Sequence, residues 1–274
     1  MMPSIDTPPS ALRLNMVPAR TGVLWVKQGL RTFFKQPLAL SGLFLMFIIT
    51  VSLGSLIPYL GNVLALAVLP AATLGLMAAT REAEQGKFPM PLMLITAFRA
   101  GQQQTRAMWV LGAIYALGFL TVLGISALLD GGQFARLYLV GGNLSPEMIQ
   151  SSEFQWALYA AMAVYMPLSL LFWHAPALVH WHGVSPTKSL FFSAVACLKN
   201  FGAMTIFSLT WLGLFLGVGF LLIIVSALLG QPELMGILML PTIMLMGSMF
   251  FTSIYFTFRD SFSMPGEVSP EAGV

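Results

Sequence analysis

The stretch PAATLGLMAATREAEQGKFPMPLMLITAFRAG, residues 70–101, decides the fold, because one apolar run ends in it and another begins. The first run stops at a charged cluster, the chain turns, and a half-polar helix leads into the next run. This layout is repeated in residues 167–200, PLSLLFWHAPALVHWHGVSPTKSLFFSAVACLKN. Corresponding residues of the two copies are separated by the same number of positions. The corresponding residues are Pro70, Gly86 and Pro89 in the first copy and Pro167, Gly183 and Pro186 in the second. We interpret the two copies as duplicated membrane-hairpin units.

The composition places most of the chain in lipid. Of the 274 residues, 57% are hydrophobic and only 8% are charged, whereas about a quarter of the residues in a soluble domain are charged. The net charge of +3 is too small to indicate binding to nucleic acid. Cys197 is the single cysteine, which excludes an intramolecular disulfide.

Six apolar stretches are long enough to cross a membrane, which takes about 20 helical residues. They lie near residues 38–57, 61–80, 108–129, 154–178, 203–229 and 233–258. They lack the alternating pattern of barrel strands, so we predict helices. The expected fold is an all-α polytopic membrane protein, with a single domain over residues 21–260 between flexible cytoplasmic tails at 1–20 and 261–274.

Lysine and arginine are distributed very unevenly between the two sides of the predicted bundle. Arg136 lies alone in the long loop between spans three and four. The other 12 of the 13 basic residues fall in the opposite set of connections and termini. By the positive-inside rule, both termini should lie in the cytoplasm of a bacterial cell, with the chain in its inner membrane.

Three segments that precede a span have an apolar face opposite a polar one. In residues 23–35, the apolar face holds Val23, Val26, Leu30, Phe33 and Phe34. Residues 94–106 and 188–199 follow the same design. Such helices lie at the headgroup boundary, where basic side chains meet anionic lipid. The predicted lipid-facing basic residues are Lys27, Arg31, Lys35, Arg99, Arg106, Lys188 and Lys199. The alternative is that these segments are the cytoplasmic ends of longer spans.

The segment WVKQGLRTFFKQP at residues 25–37 and the GKFP turn at 86–89, with the basic amphipathic helix that follows it, carry a resemblance to known proteins. The chain resembles an uncharacterised family of six-helix proteobacterial inner-membrane proteins over most of its length. It is more distantly similar to the membrane domain attached to some glycerophosphodiester phosphodiesterases. The shared features concern topology, so the resemblance implies the fold and no reaction.

All three histidines lie close together in the sequence, at His174, His180 and His182. Imidazole is a common metal ligand and proton carrier, which makes them weak candidates for a metal site. However, a separation of six residues turns about 240° around a helix, and a separation of two turns about 200°. One helix therefore does not direct all three at one ion. We predict no metal and no cofactor, with histidine and tryptophan seated at the membrane–water interface.

Small residues recur on two of the predicted spans. Those expected to pack helices closely are Ala67, Ala71, Gly75 and Ala79 on span two, and Gly213 and Gly217 on span five. Contacts within the chain and contacts between copies are both open, and we favour internal packing. The 18 methionines are expected to fill the core, rather than to carry a soft metal.

The function must be argued largely from what the sequence lacks. No charged or histidine residue lies near the middle of a predicted span, although ion-coupled transporters usually carry one there. Nucleophile-elbow, zinc-protease and phosphate-loop motifs are also missing. The leading hypothesis is a non-enzymatic inner-membrane protein that acts through lipids with anionic headgroups, a protein partner or further copies of itself. The alternative is a transporter or channel for an apolar or zwitterionic solute, which the mid-span prolines Pro70, Pro167 and Pro241 would suit.

Overall fold

The computed structural model describes residues 12–57, 60–231 and 233–263. In this part of the chain, twelve α-helices, one short 3₁₀ helix and one pair of two-residue strands occur in sequence order. They are β1 Arg13–Leu14, α1 Thr21–Lys35, α2 Pro37–Gly54, α3 Leu60–Glu84, the 3₁₀ helix Pro91–Ile95, α4 Thr96–Arg99, α5 Gln102–Asp130, α6 Gln133–Val140, α7 Pro146–Gln150, α8 Ser152–Phe172, α9 Ala175–His182, α10 Pro186–Lys199, α11 Phe201–Leu228, α12 Glu233–Ser261 and β2 Phe262–Ser263.

Six membrane-length apolar helical segments are present in the described residues, as predicted. They are α2, α3, α5, α8 together with α9, α11 and α12. Four of them cover the predicted apolar stretch completely, whereas α2 ends at Gly54 and α11 ends at Leu228, before the predicted ends at 57 and 229. The all-α polytopic fold class is therefore confirmed.

Two local features recur in the two copies of the deciding stretch. Pro70 lies inside α3 and Pro167 lies inside α8. Each spanning segment is followed by a glycine in the left-handed region, Gly86 with φ of 79° and Gly183 with φ of 63°. None of the three mid-span prolines ends its helix, since α12 also continues through Pro241.

Span four contains a break that the sequence analysis missed. Helix α8 ends at Phe172, and α9 begins at Ala175 with Pro176 in its first turn. Proline lacks the N–H that would continue the ladder of hydrogen bonds to Phe172. The backbone N–H of His174 is instead satisfied by the hydroxyl of Ser193, at 2.9 Å.

Helix α1 forms as predicted, but the bundle covers a different side of it. The residues of α1 buried against α11 and α12 are Gly22, Trp25, Val26, Gly29, Thr32 and Phe33. Val23 and Phe34, which the prediction put on a common apolar face with Val26, are exposed at 40% and 65%. Sequence periodicity did not separate the protein-facing side from this exposed apolar flank, because both are apolar.

The other two amphipathic segments also differ from the prediction. Residues 94–106 do not form one helix, because Gly101, with φ of 105°, separates the short α4 from α5. In α10, the buried face is made of small residues, among them Ser189 and Ser193. Of the apolar side chains of α10, Phe191 and Leu198 point outward, 63% and 59% exposed, whereas Leu190 packs against the core.

The predicted boundaries of both terminal tails are wrong. Strand β1 pairs antiparallel with β2, with Arg13 opposite Ser263. The Val17 N–H donates to Asn200 Oδ1 at 2.9 Å, and Asn200 Nδ2 donates to the carbonyl of Asn15 at 3.0 Å. Residues 12–20 and 261–263 therefore belong to the folded unit. The remaining tail residues, 1–11 and 264–274, lie outside the described part of the chain.

Helix α3 is the centre of the bundle, and α11 and α12 are peripheral. In the most apolar part of α3, 61% of the residues are buried inside the protein, against 11% in the corresponding parts of α11 and α12. The large apolar side chains of α11 and α12 away from their α1 contacts are mostly exposed. Lipid is the environment that can cover these faces.

At the end of the bundle that carries Arg136, the long predicted loop contains two helices. Asp130 is buried and accepts hydrogen bonds from the N–H groups of Gly132 and Phe134, at 2.8 and 2.7 Å, at the start of α6. The hydroxyl of Ser145 caps α7 by accepting a hydrogen bond from the N–H of Met148. However, α7 does not run into span four, because Ser151 interrupts the helix and caps α8.

Candidate functional site

The candidate site lies at the end of the bundle where α2, α5 and α11 begin and α3, α9 and α12 end. We call this the basic end, because the described chain places 12 of its 13 lysines and arginines there. The seven predicted lipid-facing basic residues are all exposed at this end. Arg106 also lines a cavity of about 480 Å³ beside the turn at Gly183.

Three tryptophan N–H groups hold the last turns of α12 at this end. Trp211 Nε1 on α11 donates to Ser253 Oγ at 3.0 Å. Trp173 Nε1, in the break of span four, donates to Thr257 Oγ1 at 3.0 Å. Trp25 Nε1 on α1 donates to Asp260 Oδ2 at 2.9 Å. Because the acceptors follow a helical spacing of four and three residues, one face of α12 receives all three indoles.

An ion-pair network connects the same face to α1 and α3. Arg259 Nη1 lies 2.5 Å from Glu84 Oε1, and its Nε lies 2.8 Å from Asp260 Oδ1. Its Nη2 donates to Gln28 Oε1 at 3.1 Å. The charge of Arg259 is therefore compensated inside the protein, and its side chain is only 27% exposed.

His174 is part of the core, beneath this network. It is fully buried, and its Nε2 lies 3.2 Å from Thr257 Oγ1, while Nδ1 lies 3.9 Å from Cys197 Sγ. The hydroxyl of Ser193 donates to the carbonyl of Leu170 at 2.8 Å. These polar groups bond to one another across the break in span four, so they stabilise an otherwise irregular piece of backbone.

The three histidines occupy three different environments. His174 lies in the core, whereas His180 and His182 line two separate surface cavities. Among the residues that the structure describes, no group of three or more His, Cys, Asp or Glu side chains is placed to hold a metal ion.

A cavity of about 540 Å³ lies between the end of α3, the segment before α5 and α9. We call it the Arg81 cavity. The charged and polar side chains that line it include Arg81, Glu82, Lys87, Thr96, Arg99 and His180. The guanidinium of Arg81 lies over the Trp181 ring, 5.5 Å from its centroid. A second cavity of about 270 Å³ shares Arg81 and Trp181 with it and reaches Arg259.

The spanning part of the bundle holds a smaller crevice, of about 150 Å³, between α3, α5, α8 and α12. Its lining is mainly aromatic and aliphatic, with hydroxyl-bearing side chains that include Thr73, Tyr115, Tyr165 and Ser169. The hydroxyls of Thr73 and Ser169 already donate to carbonyls of their own helices. This volume is enough for a few water molecules, at about 30 Å³ each.

The predicted helix-packing residues divide into two groups. On α3, Ala71, Gly75 and Ala79 are buried, and Ala67 meets Gly112 of α5. On α11, Gly213 and Gly217 are exposed, with no described atom within 4 Å of an added Cβ. Their predicted use in packing within the chain is therefore wrong, because the face of α11 that carries them points out of the bundle.

The sequence analysis missed several residues that organise the basic end. Trp25 was used only for the family resemblance, and Arg81 and Arg259 only for the charge count. One signal was present in the sequence: Glu84 and Asp260 each follow an arginine closely at the end of a predicted span. Partly buried carboxylates at such positions need partners, so charge pairing was to be expected there.

Cys197 should be a very slow nucleophile in the folded protein. It is 2% exposed, and burial raises the pKa of its thiol to about 12. Because only the thiolate reacts, we expect maleimide labelling at pH 8 to be at least about a hundredfold slower in the folded than in the unfolded chain. The matched control is Cys197→Ser combined with Thr187→Cys, which moves the thiol to an exposed position on the same helix. Equal labelling rates for the two proteins would contradict the buried position.

The comparisons with known proteins give one close similarity. The chain is 36% identical over 263 residues to a protein of Burkholderia thailandensis described as "Probable inner membrane protein". The alignment covers 95% of this chain and 97% of that protein. No family model and no solved structure matches the chain.

Proposed function

Because the chain belongs to the same family as this inner membrane protein of Burkholderia thailandensis, we propose that it acts in the bacterial inner membrane without catalysing a reaction, through the lipids and proteins that its basic end meets. Its location as a multi-pass inner-membrane protein follows from the family and from the six apolar helices. One observation supports the proposed role most strongly. Seven exposed basic side chains, on α1, α4, α5 and α10, gather at one end of the bundle.

The orientation is part of the proposal. Since 12 of the 13 basic residues lie at the basic end, the positive-inside rule puts this end in the cytoplasm, together with both chain termini. The cytoplasmic surface of the membrane carries anionic lipids. The basic end therefore faces the surface that attracts it.

Helix α1 is suited to contact lipid on the side that the bundle leaves free. Lys27, Arg31 and Lys35 are exposed on this side, next to the exposed apolar Val23 and Phe34. An apolar flank beside a basic one is the pattern of a helix at the headgroup boundary. Lys35 also donates to the carbonyl of Glu84 at 3.2 Å, so the basic flank is anchored to the bundle.

The core side chains that could act as a nucleophile or a base are buried or already hydrogen-bonded, which supports the non-enzymatic part of the proposal. His174, Ser193 and Thr257 hydrogen-bond within the core, and Cys197 is buried among them. A nucleophile or general base must reach a substrate.

A protein partner or a second copy of the chain remains the other contact that we propose for this protein. Cross-linking in native membranes, followed by mass spectrometry of the bound proteins, tests it.

Reversing the charges of α1 should weaken its contact with anionic lipid. We expect Lys27→Glu, Arg31→Glu and Lys35→Glu together to lower the selectivity for spin-labelled phosphatidylglycerol over phosphatidylcholine by more than about tenfold, since each basic side chain near the surface contributes about 1 kcal/mol. The measurement is the fraction of motionally restricted spin label around the reconstituted protein at low salt.

The matched control compares single charge reversals at the two ends. Arg31→Glu should lower the selectivity severalfold in membranes with phosphatidylglycerol only in the leaflet at the basic end. Arg136→Glu, at the opposite end, should leave it unchanged there. If the triple variant keeps the selectivity of the wild type, then α1 does not contact lipid in the proposed way.

The crevice in the spanning part favours the second candidate function, a transporter or channel for an apolar or zwitterionic solute. Its aromatic lining would suit an apolar solute, and Tyr115 and Tyr165 would supply hydroxyls. Gentle purification followed by mass spectrometry separates the two functions. A stoichiometric small solute would favour transport, whereas a retained protein or phospholipid would favour the leading proposal.

We also propose the distant relation to the membrane domain attached to some glycerophosphodiester phosphodiesterases. It is supported by residues 25–37 and 86–89, which form α1 and the turn after α3. A solved structure of such a domain would test the relation. The same order of surface helices and spans would support it, and a different order would remove it.

A further inference from the structure

We propose that the Arg81 cavity binds a phosphate group, carried by a phospholipid or by a soluble phosphate. This inference rests on the proposed function and deepens it, because it names the chemical group that the basic end would hold. It concerns a defined cavity in the protein, whereas the contact proposed for α1 is a diffuse one with the membrane surface.

The cavity lining contains more cations than carboxylates. Three segments contribute one cation each: Arg81 near the end of α3, Lys87 in the turn that follows and Arg99 at the end of α4. The lining has one carboxylate, that of Glu82. Within the described residues, neither ion pair involves any of these three cations, since both use Arg259. An anion placed among them would gain charge-assisted hydrogen bonds.

The shape and the donors of the cavity suit a phosphate. Arginine presents a planar set of N–H donors that matches phosphate oxygens, and the contact of Arg81 with Trp181 limits where its guanidinium lies. Thr96 and His180 add a hydroxyl and an imidazole to the lining. The volume of about 540 Å³ lies within the range of pockets that hold small organic ligands, roughly 300–1,000 Å³, so there is room for a headgroup and not only for an ion.

The surroundings of the cavity favour a lipid as the source of the phosphate. The segment between Lys87 and Arg99 exposes the large apolar side chains of Phe88, Met90, Leu92 and Ile95. Exposed apolar side chains flanked by cations are typical of segments lying in the membrane interface. A phospholipid could therefore place its phosphate among the three cations while its acyl chains lie along these side chains.

The test uses the full chain in a neutral detergent and native mass spectrometry to count bound lipids. We expect one dioleoyl-phosphatidylglycerol per chain to be retained, and no dioleoylglycerol, which lacks the phosphate. The variant Arg81→Gln, Lys87→Gln and Arg99→Gln should lower the affinity for phosphatidylglycerol at least about tenfold, because it removes all three charge-assisted contacts. These side chains are exposed, so the variant is expected to fold.

The control removes two exposed cations at the same end that do not line the cavity, as Arg13→Gln and Arg20→Gln, and should keep the tightly bound lipid. Competition by millimolar inorganic phosphate would support the site and show that it also accepts a soluble source. Phosphate binding without lipid retention would support a soluble source alone.

Two results would overturn the inference: wild-type retention in the cavity variant, or equal loss in the cavity variant and in the control, which would mean diffuse attraction. Neither result touches the spin-label prediction for α1. Conversely, if the spin-label prediction fails, the lipid contact proposed for α1 is removed. A lipid counted by mass spectrometry would then have to be explained by the cavity and not by α1.

Discussion

Gly112→Ala is expected to destabilise the bundle by about 3 kcal/mol, although it adds one methyl group to a helix. Helix α5 crosses α3 at this point, and the added Cβ would overlap the carbonyl oxygen of Ala67 and lie 3.0 Å from its carbonyl carbon. Both atoms belong to the backbone of the central helix, so they do not move aside as a flexible side chain would. The two helices would have to separate, and their neighbours would lose contacts along the crossing.

The measurement is unfolding of the purified protein by sodium dodecyl sulfate in mixed micelles, followed by circular dichroism. Gly124→Ala is the matched control, because Gly124 lies on the same helix, is exposed, and has no described atom within 4 Å of an added Cβ. We expect its stability to change by no more than about 0.5 kcal/mol. Similar losses for the two variants would mean that the crossing of α3 and α5 is not as close as described.

This prediction depends on a contact that the sequence did not identify. Small residues on α3 were expected to pack closely, but Gly112 was not among the residues chosen, whereas Gly213 and Gly217 were and prove to be exposed. Glycine spacing is the same on a face that meets a helix and on a face that meets lipid, because both environments accept small residues. The difference lies in the path of the neighbouring helices, which local periodicity does not contain.

The parts of the fold that were predicted correctly are those that the membrane imposes directly. Lipid requires about 20 apolar residues per span and internal backbone hydrogen bonds. The six spans could therefore be identified from the apolar stretches of the sequence alone. The errors lie where tertiary contacts decide. Examples are the break before Pro176, which is satisfied by Ser193, and residues 12–20, which are held by Asn200.

The same distinction applies to the candidate site. The gathering of basic residues at one end was predictable, because counting the lysines and arginines in successive connections between spans is enough to show it. It was not predictable which of these cations pair with carboxylates of the protein. Arg259 is paired with Glu84, which is 175 residues away in sequence, whereas Arg81, three residues before Glu84, faces a cavity instead. This division between a structural cation and available ones makes a specific anion site possible at the basic end.

Trp25→Ala should release α1 from the bundle, with a loss of about 4 kcal/mol in the free energy of unfolding. Trp25 is fully buried, its ring lies edge-on to Phe207 with the centroids 6.1 Å apart, and its indole N–H donates to Asp260. Removal of the ring leaves a cavity between α1 and α11, and it also removes one of the donors to the carboxylate that pairs with Arg259. Of the other buried residues of α1, Gly22 and Gly29 contribute only close approach, so Val26, Thr32 and Phe33 are the side chains that still hold the helix.

Two further variants separate the contributions of the ring and the donor. Trp25→Phe keeps an aromatic ring in the contact and loses the N–H, so we expect a loss of about 1.5 kcal/mol, the value of a hydrogen bond to a charged group. Val23→Ala, at an exposed position of the same helix, should cost less than about 0.5 kcal/mol. Hydrogen exchange of the α1 amides, measured with the unfolding experiment, reports the release directly, because a helix that leaves the bundle loses its protection. If Trp25→Ala leaves both the exchange of α1 and the stability as they are in the wild type, then α1 is held by the membrane surface and not by the bundle. In that case, the bundle would not fix the position of the basic flank of α1.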